Sequence, residues 1–280
     1  MGDTRQTDDE QTARWNGPAG HAWVEAQEVV DGLLKPFEDL LLDAVSAERG
    51  GRVLDVGCGT GGTTLAAARR LGAEGRCVGI DISEPMIAAA RARAERERTQ
   101  ARFIRADAQD HAFEAATFDT IISRFGVMFF DDSVQAFANL HRAARSDAEL
   151  RFVAWRGATE NPFMTTAERA AAPLLPDLPA RRPDAPGQFG LEDPSRIHRI
   201  LKESGWGAID VRPVDVVCTL PETELVGYFT RFGPVGLILH ETDERTRAQV
   251  VETVRAAFDP YVHGTEVRFT AAGWVVGARA

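Results

Sequence analysis

Three aspartates and a cluster of glycines are spaced so as to hold a polar ligand. In RVLDVGCGTGG (52–62), Gly57, Gly59 and Gly62 satisfy G-x-G-x-x-G, and Gly61 adds a further glycine to the turn. Glycine lets a backbone approach a ligand without Cβ interference and adopt positive φ. The turn feeds a helix after Gly62, whose free N–H groups favour a negative group. Asp55 lies just before the glycines, Asp81 ends RCVGID (76–81), and Asp107 lies in RADAQD (105–110). A carboxylate at 81 can accept both hydroxyl protons of a ribose, each charge-assisted bond contributing roughly 1.5–3 kcal/mol. One at 107 is placed to accept from the exocyclic amine of an adenine.

Two ligands share these features. In a dinucleotide site the group at the helix N-terminus is a pyrophosphate; in an S-adenosylmethionine (SAM) site it is the methionine carboxylate. Asp81 serves either reading. Asp55 separates them, because a carboxylate there repels a pyrophosphate but can hold the methionine ammonium, directly or through water. The turn also carries Cys58, and the loop DISEPMIAAA (81–90) adds Ile82 and Met86, an apolar side chain able to pack on an adenine face. The Ala108 backbone can contact the ring. A nicotinamide-dependent oxidoreductase is the alternative, and it lacks support from any Tyr-x-x-x-Lys pair. A non-catalytic SAM-binding protein is the second alternative.

The run VLDVGCGTG (53–61), GIDISEPMI (79–87), RADAQD (105–110) and FDTIISRFGVMFF (118–130) resembles the class I SAM-dependent methyltransferases, in particular the group that includes the ubiquinone/menaquinone-pathway enzymes. The resemblance covers about residues 50–155, with weaker echoes in LKESGW (201–206) and TAAGWVVGAR (270–279). It implies a seven-stranded sheet ending in an antiparallel hairpin, SAM above the strand C-termini and S-adenosylhomocysteine as product. It also implies that SRFGVMFF (123–130) faces substrate and the methionine moiety, which makes Ser123 and Arg124 site-wall residues. Arg124 then either holds an anionic acceptor or pairs with an acid such as Asp55. Where relatives carry a Pro-Gly-Gly turn before the fifth strand, this chain has RSDAEL (145–150).

The elements that must position these residues alternate. Strands are expected at 52–57, 76–81, 101–107, 118–125 and 149–155, with amphipathic helices between them, which predicts an α/β, Rossmann-like, mostly parallel sheet covered on both faces. The expected organisation is a flexible tail over 1–13, an N-terminal helical cap over 14–48, a SAM-binding core over 49–155, and a lid or insertion over 156–195. Residues 196–280 complete the sheet, with a helical insertion at 221–262. Pro36 suits the first turn of a second cap helix, and Asn161 suits the cap of a helix beginning at Pro162.

The methyl acceptor is less clearly written. Trp15 and Trp23 in RWNGPAGHAW (14–23) are expected to close over the cofactor, and LVGYFTRFGPVGLIL (225–239), with Tyr228, suggests an apolar lid over a small organic acceptor. No catalytic base declares itself; His21 and His240, in the cap segments, are the candidates. The Asn-Pro-Pro-Tyr-like run of amino methyltransferases is absent after the fourth strand, and a net charge of -10 disfavours a nucleic-acid partner. The three cysteines show no metal-ligand spacing, so no metal is expected, and a reducing cytoplasm fits them. There is no apolar run of membrane-spanning length and no signal peptide is apparent.

Overall fold

Apolar runs too hydrophobic for a one-sided sheet become the buried middle of a parallel one. The computed structural model describes residues 11–45, 51–179, 181 and 185–280. Its first five strands are β1 (Arg52–Val56), β2 (Arg76–Asp81), β3 (Arg102–Arg105), β4 (Phe118–Arg124) and β5 (Ala144–Trp155). The last three are β6 (Gly207–Pro221), the two-residue β7 (Val262–His263) and β8 (Glu266–Arg279). The sheet order is β3-β2-β1-β4-β5-β8-β6, with β7 pairing only with β8. Neighbours among β1 to β5 run parallel, whereas β8 lies antiparallel between β5 and β6. In the central β1, Val53, Leu54, Asp55 and Val56 are all buried, so both faces are covered. This is the expected α/β architecture.

The helices α3 (Gly62–Leu71), α4 (Glu84–Glu97) and α5 (Ser133–Ala143) connect the parallel strands. Ser83 caps α4 by accepting from the Met86 N–H, and Asp132 caps α5 by accepting from the Gln135 N–H at 2.9 Å. Strand order reverses between β1 and β4, which opens a crevice beyond the strand C-termini at that point.

Two helices precede the sheet, α1 (Pro18–Glu25) and α2 (Gln27–Leu42). The break falls at Ala26 rather than at Pro36, which lies inside α2. An interior proline costs about 3 kcal/mol; here Leu33, Leu34, Phe37 and Leu41, all buried on the same helix, hold the helix together through it. The expected tail falls mostly outside the described residues, but 11–13 open a helical turn that runs to 16. The expected boundary between cap and core, at 48 and 49, also lies outside them.

β5 starts earlier than expected, because 145–150 are strand rather than turn. The irregularity that the sequence places there survives as a register shift between the pairs Phe118–Ala144 and Thr120–Glu149, with Asp147 at φ +63°. At the other end the β6–β8 hairpin continues past β5. Trp155 opposite Gly273 is the last β5–β8 pair, whereas β6 and β8 stay paired to Pro221 opposite Glu266. Four further helices pack around this end, α6 (Pro162–Ala171), α8 (Leu225–Arg231), α9 (Gly233–Leu239) and α10 (Glu244–Ala257), while α7 (Pro194–Glu203) packs against α5 and β6. Asn161 occupies the N-cap position of α6, but its side chain does not cap. It is buried, donates to the carbonyls of Arg156 and Ala272, and accepts the Ala272 N–H at 2.9 Å, which staples α6 to β8.

Candidate active site

The crevice at the strand reversal is one elongated cavity of about 300 Å³. Its polar end lies at the C-terminal edges of β1, β2 and β4. Gly57 has φ +66°, and a Cβ there would come within 2.6 Å of Gly126 Cα, so β1 and the turn after β4 touch through two glycines. Ser123 locks that contact: its hydroxyl donates to the Val56 carbonyl at 2.7 Å and accepts from the Gly126 N–H at 3.2 Å.

Asp81 is the central polar group on the wall. Its Oδ2 accepts from the Gly59 N–H at 2.8 Å and its Oδ1 from the Ser83 N–H at 2.9 Å. Burial raises its pKa, against these backbone donors, which lower it. Gly57, Gly59, Ile82, Met86, Asp107, Ala108 and Arg124 share the same wall. Asp107 Oδ1 accepts from the Gln109 N–H at 2.8 Å, which fixes the loop after β3.

Other expected site residues lie behind the wall. Asp55, Cys58, Gly61 and Ser123 do not line the cavity. Asp55 faces the sheet's covering helix, where its Oδ2 accepts from the Thr64 hydroxyl at 2.6 Å, and its Oδ1 takes no hydrogen bond. That corrects the expectation of an Asp55 side chain on the ligand face. Burial pushes Asp55 up to about 7, while Thr64 and the charge of Arg124 pull the other way. An unfolded aspartate titrates near 3.9, so between about pH 4 and 7 the native state holds the extra proton and stability falls as pH rises. Asp55→Asn removes this dependence. Relative to wild type, its stability by urea denaturation should therefore gain about 2 kcal/mol between pH 5 and pH 7. An unchanged difference between the two pH values would show that the carboxylate is already ionised throughout.

Arg124 does not pair with Asp55 but with two acids of α2. Its Nη2 lies 3.3 Å from Asp31 Oδ1 and its Nη1 3.9 Å from Glu38 Oε2, without a hydrogen bond at Nη1. Asp31 also binds Arg93 at 2.9 Å, and Arg93 donates to the Thr60 carbonyl of the glycine turn. The Asp31 carboxylate sits over Gly62, where a Cβ would come within 2.5 Å of Oδ1. The negative group expected at the start of α3 is thus, in this structure, a protein side chain. Sequence reasoning missed Asp31, Glu38 and Arg93, because their partners lie far along the chain.

The N-terminal segment closes the polar end. Trp15 and Trp23 are on the cavity wall, with ring centroids 6.3 Å apart, and Trp15 meets Phe129 edge-on at 5.2 Å. Asn16 latches the segment to the loop after β2: its amide donates to the Ile82 carbonyl at 3.2 Å and accepts from the Glu84 N–H at 2.8 Å. The Ser83 hydroxyl donates to the Trp15 carbonyl at 2.6 Å.

The other end of the cavity is aromatic. Phe163 of α6 stacks on Phe269 of β8 at 3.6 Å and 5°, and Tyr228, on the wall, lies 5.5 Å from Phe163. Trp155 stacks on Phe125 at 3.7 Å between the two ends. His21 and His240 are both exposed and neither lines the cavity, which corrects their candidacy as bases; the His21 ring contacts the Gly17 carbonyl within its own helix. Among the described residues, no group of three or more His, Cys, Asp or Glu is arranged to hold a metal, and no helix is long and apolar enough to cross a membrane.

Strand order, glycine turn and the acidic β2 terminus make up an α/β, Rossmann-like methyltransferase fold. Residues 53–147 match the family model described as "Methyltransferase domain". Nocamycin O-methyltransferase of Saccharothrix syringae is 37% identical over 117 residues, 41% of this chain and 42% of that protein. Aklanonic acid methyltransferase DauC of Streptomyces sp. (strain C5) is 38% identical over 104 residues, 37% of this chain and 47% of the relative. The ubiquinone/menaquinone biosynthesis C-methyltransferase UbiE of Idiomarina loihiensis is 32% identical over 117 residues, 41% of this chain and 46% of the relative. The matched stretch spans less than half the length of each of these relatives. Among solved structures, the YcgJ protein of Bacillus subtilis superposes with TM-score 0.57 at 15% identity, covering 88% of this chain and 98% of that one. That likeness is one of fold.

Proposed function

We propose that the chain transfers a methyl group from SAM to a small organic acceptor. The observation that carries this reading is the continuity of the cavity, which runs from the Asp81 carboxylate and the Gly57–Gly59 turn to the aromatic end around Phe163. Asp81 would accept the two ribose hydroxyls, and Met86, Ile82 and Ala108 would cover the adenine, with Asp107 toward its amine. Arg124 Nη1, buried with no hydrogen bond, is suited to the methionine carboxylate. Asp55 would act from behind the turn, holding Thr64 and setting the local charge. The net charge of -10 disfavours a nucleic-acid partner.

When bound, SAM supplies an electrophilic methyl group: an acceptor lone pair bonds to the methyl carbon as the carbon–sulfur bond breaks, its electron pair remaining on sulfur. The chain's part is alignment and exclusion of water. Trp15, Trp23 and the α8–α9 segment cover the cavity, and Trp155 and Phe125 narrow it between its two ends. No histidine lines it, so a proton lost by the acceptor does not pass to an imidazole.

Asn16→Ala should weaken S-adenosylhomocysteine binding about tenfold, the equivalent of about 1.4 kcal/mol, because it frees the latch that holds Trp15 over the site. Calorimetry reads the affinity and amide hydrogen exchange over 11–20 reads the latch; unchanged values for both would remove Asn16 from the account. The activity itself is tested with methyl-labelled SAM against phenols, quinols, amines and thiols. Label transfer to any of them supports the proposal, and label retained on SAM throughout, with cofactor bound, favours a binding protein.

A further inference from the structure

The aromatic end of the cavity has the chemistry of a particular kind of acceptor. On the wall formed by α6, α8, α9, α10 and the distal β6–β8 hairpin, the ionisable groups among the described residues are Glu168, Cys218 and Tyr228. Glu168 is engaged from outside: Arg181 Nη2 lies 2.5 Å from its Oε1 and Nε 3.0 Å from its Oε2, a two-pronged pair that offsets its charge. The Cys218 thiol is pushed up to about 12 by burial and stays neutral. Arg124, nearer the polar end, is paired with Asp31 and Glu38, and its remaining Nη1 is the group assigned above to the methionine carboxylate, which leaves no cation for the acceptor. Beside Met164 the wall carries the neutral amide of Gln188, whose Nε2 lies 3.2 Å from the Met164 sulfur, and the remainder is ring and aliphatic surface.

A charged acceptor placed here would lose hydration with no counter-charge to replace it, a cost of several kcal/mol. A neutral ring system loses nothing of that kind and gains contact with Tyr228 and Phe232, half-buried rings on the cavity wall that the buried Phe163–Phe269 stack supports from behind. One polar group stands out against this surface. The Tyr228 hydroxyl makes no hydrogen bond within the described protein, although the ring is packed against Phe163 and Phe232. Tyr228 is half-buried and lines the cavity, so its hydroxyl is available to a ligand.

We infer that the acceptor is an uncharged aromatic molecule carrying a hydroxyl or carbonyl oxygen, seated against Phe232 and Met164 with that oxygen hydrogen-bonded to Tyr228. This deepens the methyltransferase reading and sets aside the anionic acceptor that Arg124 suggested from sequence.

Three naphthalenes of equal ring size separate the possibilities: 2-naphthol, naphthalene-2-sulfonate and 2-naphthyltrimethylammonium. Their affinities are measured by calorimetry with the full chain, with and without S-adenosylhomocysteine. The inference expects naphthol to bind at least tenfold tighter than either charged probe. Tyr228→Phe should cost naphthol about fivefold and leave unsubstituted naphthalene unaffected, while Ala167→Trp, filling the space beside Met164 on α6, should abolish naphthol binding. Equal or tighter binding of a charged probe overturns the inference, and so does an Ala167→Trp variant that folds and still binds naphthol. Because the wild-type series needs no variant, misfolding of either mutant leaves the test intact. S-adenosylhomocysteine is titrated separately: its failure to bind strikes the methyltransferase reading, whereas a charged-probe preference strikes only the acceptor class.

Discussion

Replacing Asp81 by alanine lowers the affinity for S-adenosylhomocysteine by about 10- to 100-fold, at about 1.4 kcal/mol per tenfold. Two losses add in the same direction. The ribose hydroxyls lose a charged acceptor, a net loss of roughly 1.5–3 kcal/mol once water replaces it. The Gly59 and Ser83 N–H groups lose the carboxylate that both donate to, at 2.8 and 2.9 Å, so the glycine turn and the loop after β2 are no longer tied to one point. Asp81→Asn keeps the shape and one carbonyl oxygen, and its loss should be smaller. Calorimetric titration of both variants, with circular dichroism to confirm folding, checks the order. Affinity unchanged in a folded Asp81→Ala protein would remove the ribose assignment.

Arg124→Met is expected to be the most destabilising single change at the site, costing about 3–5 kcal/mol in urea denaturation. Methionine fills much of the volume, so the effect is electrostatic. Glu38 and Asp31, with side chains 8% and 22% exposed, would be left facing each other across the vacated guanidinium. Arg93 compensates Asp31, whereas Glu38 keeps only the half-exposed Lys35, 3.4 Å from its Oε1. A second substitution, Glu38→Gln, should return a large part of the loss, because it removes the carboxylate left without its guanidinium. A single-mutant cost below about 1 kcal/mol would mean that the network is solvated and contributes little.

What the sequence made readable was local. The glycine turn, Asp81 and Met86 sit within one strand–turn–helix unit or its neighbour, where a residue's facing follows from a few positions of chain. β1 is different, because it is buried on both faces and no alternation tells which way Asp55 points. It points toward Thr64 on α3, the helix that the same turn begins. Arg124's partner Asp31 lies 93 residues earlier, and only the docking of α2 on the sheet brings them together. The two histidines were chosen by the segments that carry them, yet the rotation of α1 and the end of α9 put both rings outside. Phe163 and Phe269 had the letters of ordinary core. Their stacking on a cavity wall depends on Asn161 holding α6 to β8, a contact across 111 residues.

The central claim is that this cavity binds the adenosyl-methionine skeleton and not a dinucleotide. Calorimetric titration of the wild-type chain with S-adenosylhomocysteine, and in parallel with NAD and NADP, tests it most directly. The account predicts saturable one-to-one binding of S-adenosylhomocysteine and no heat from either dinucleotide. Binding of NAD or NADP with no response to S-adenosylhomocysteine would contradict it.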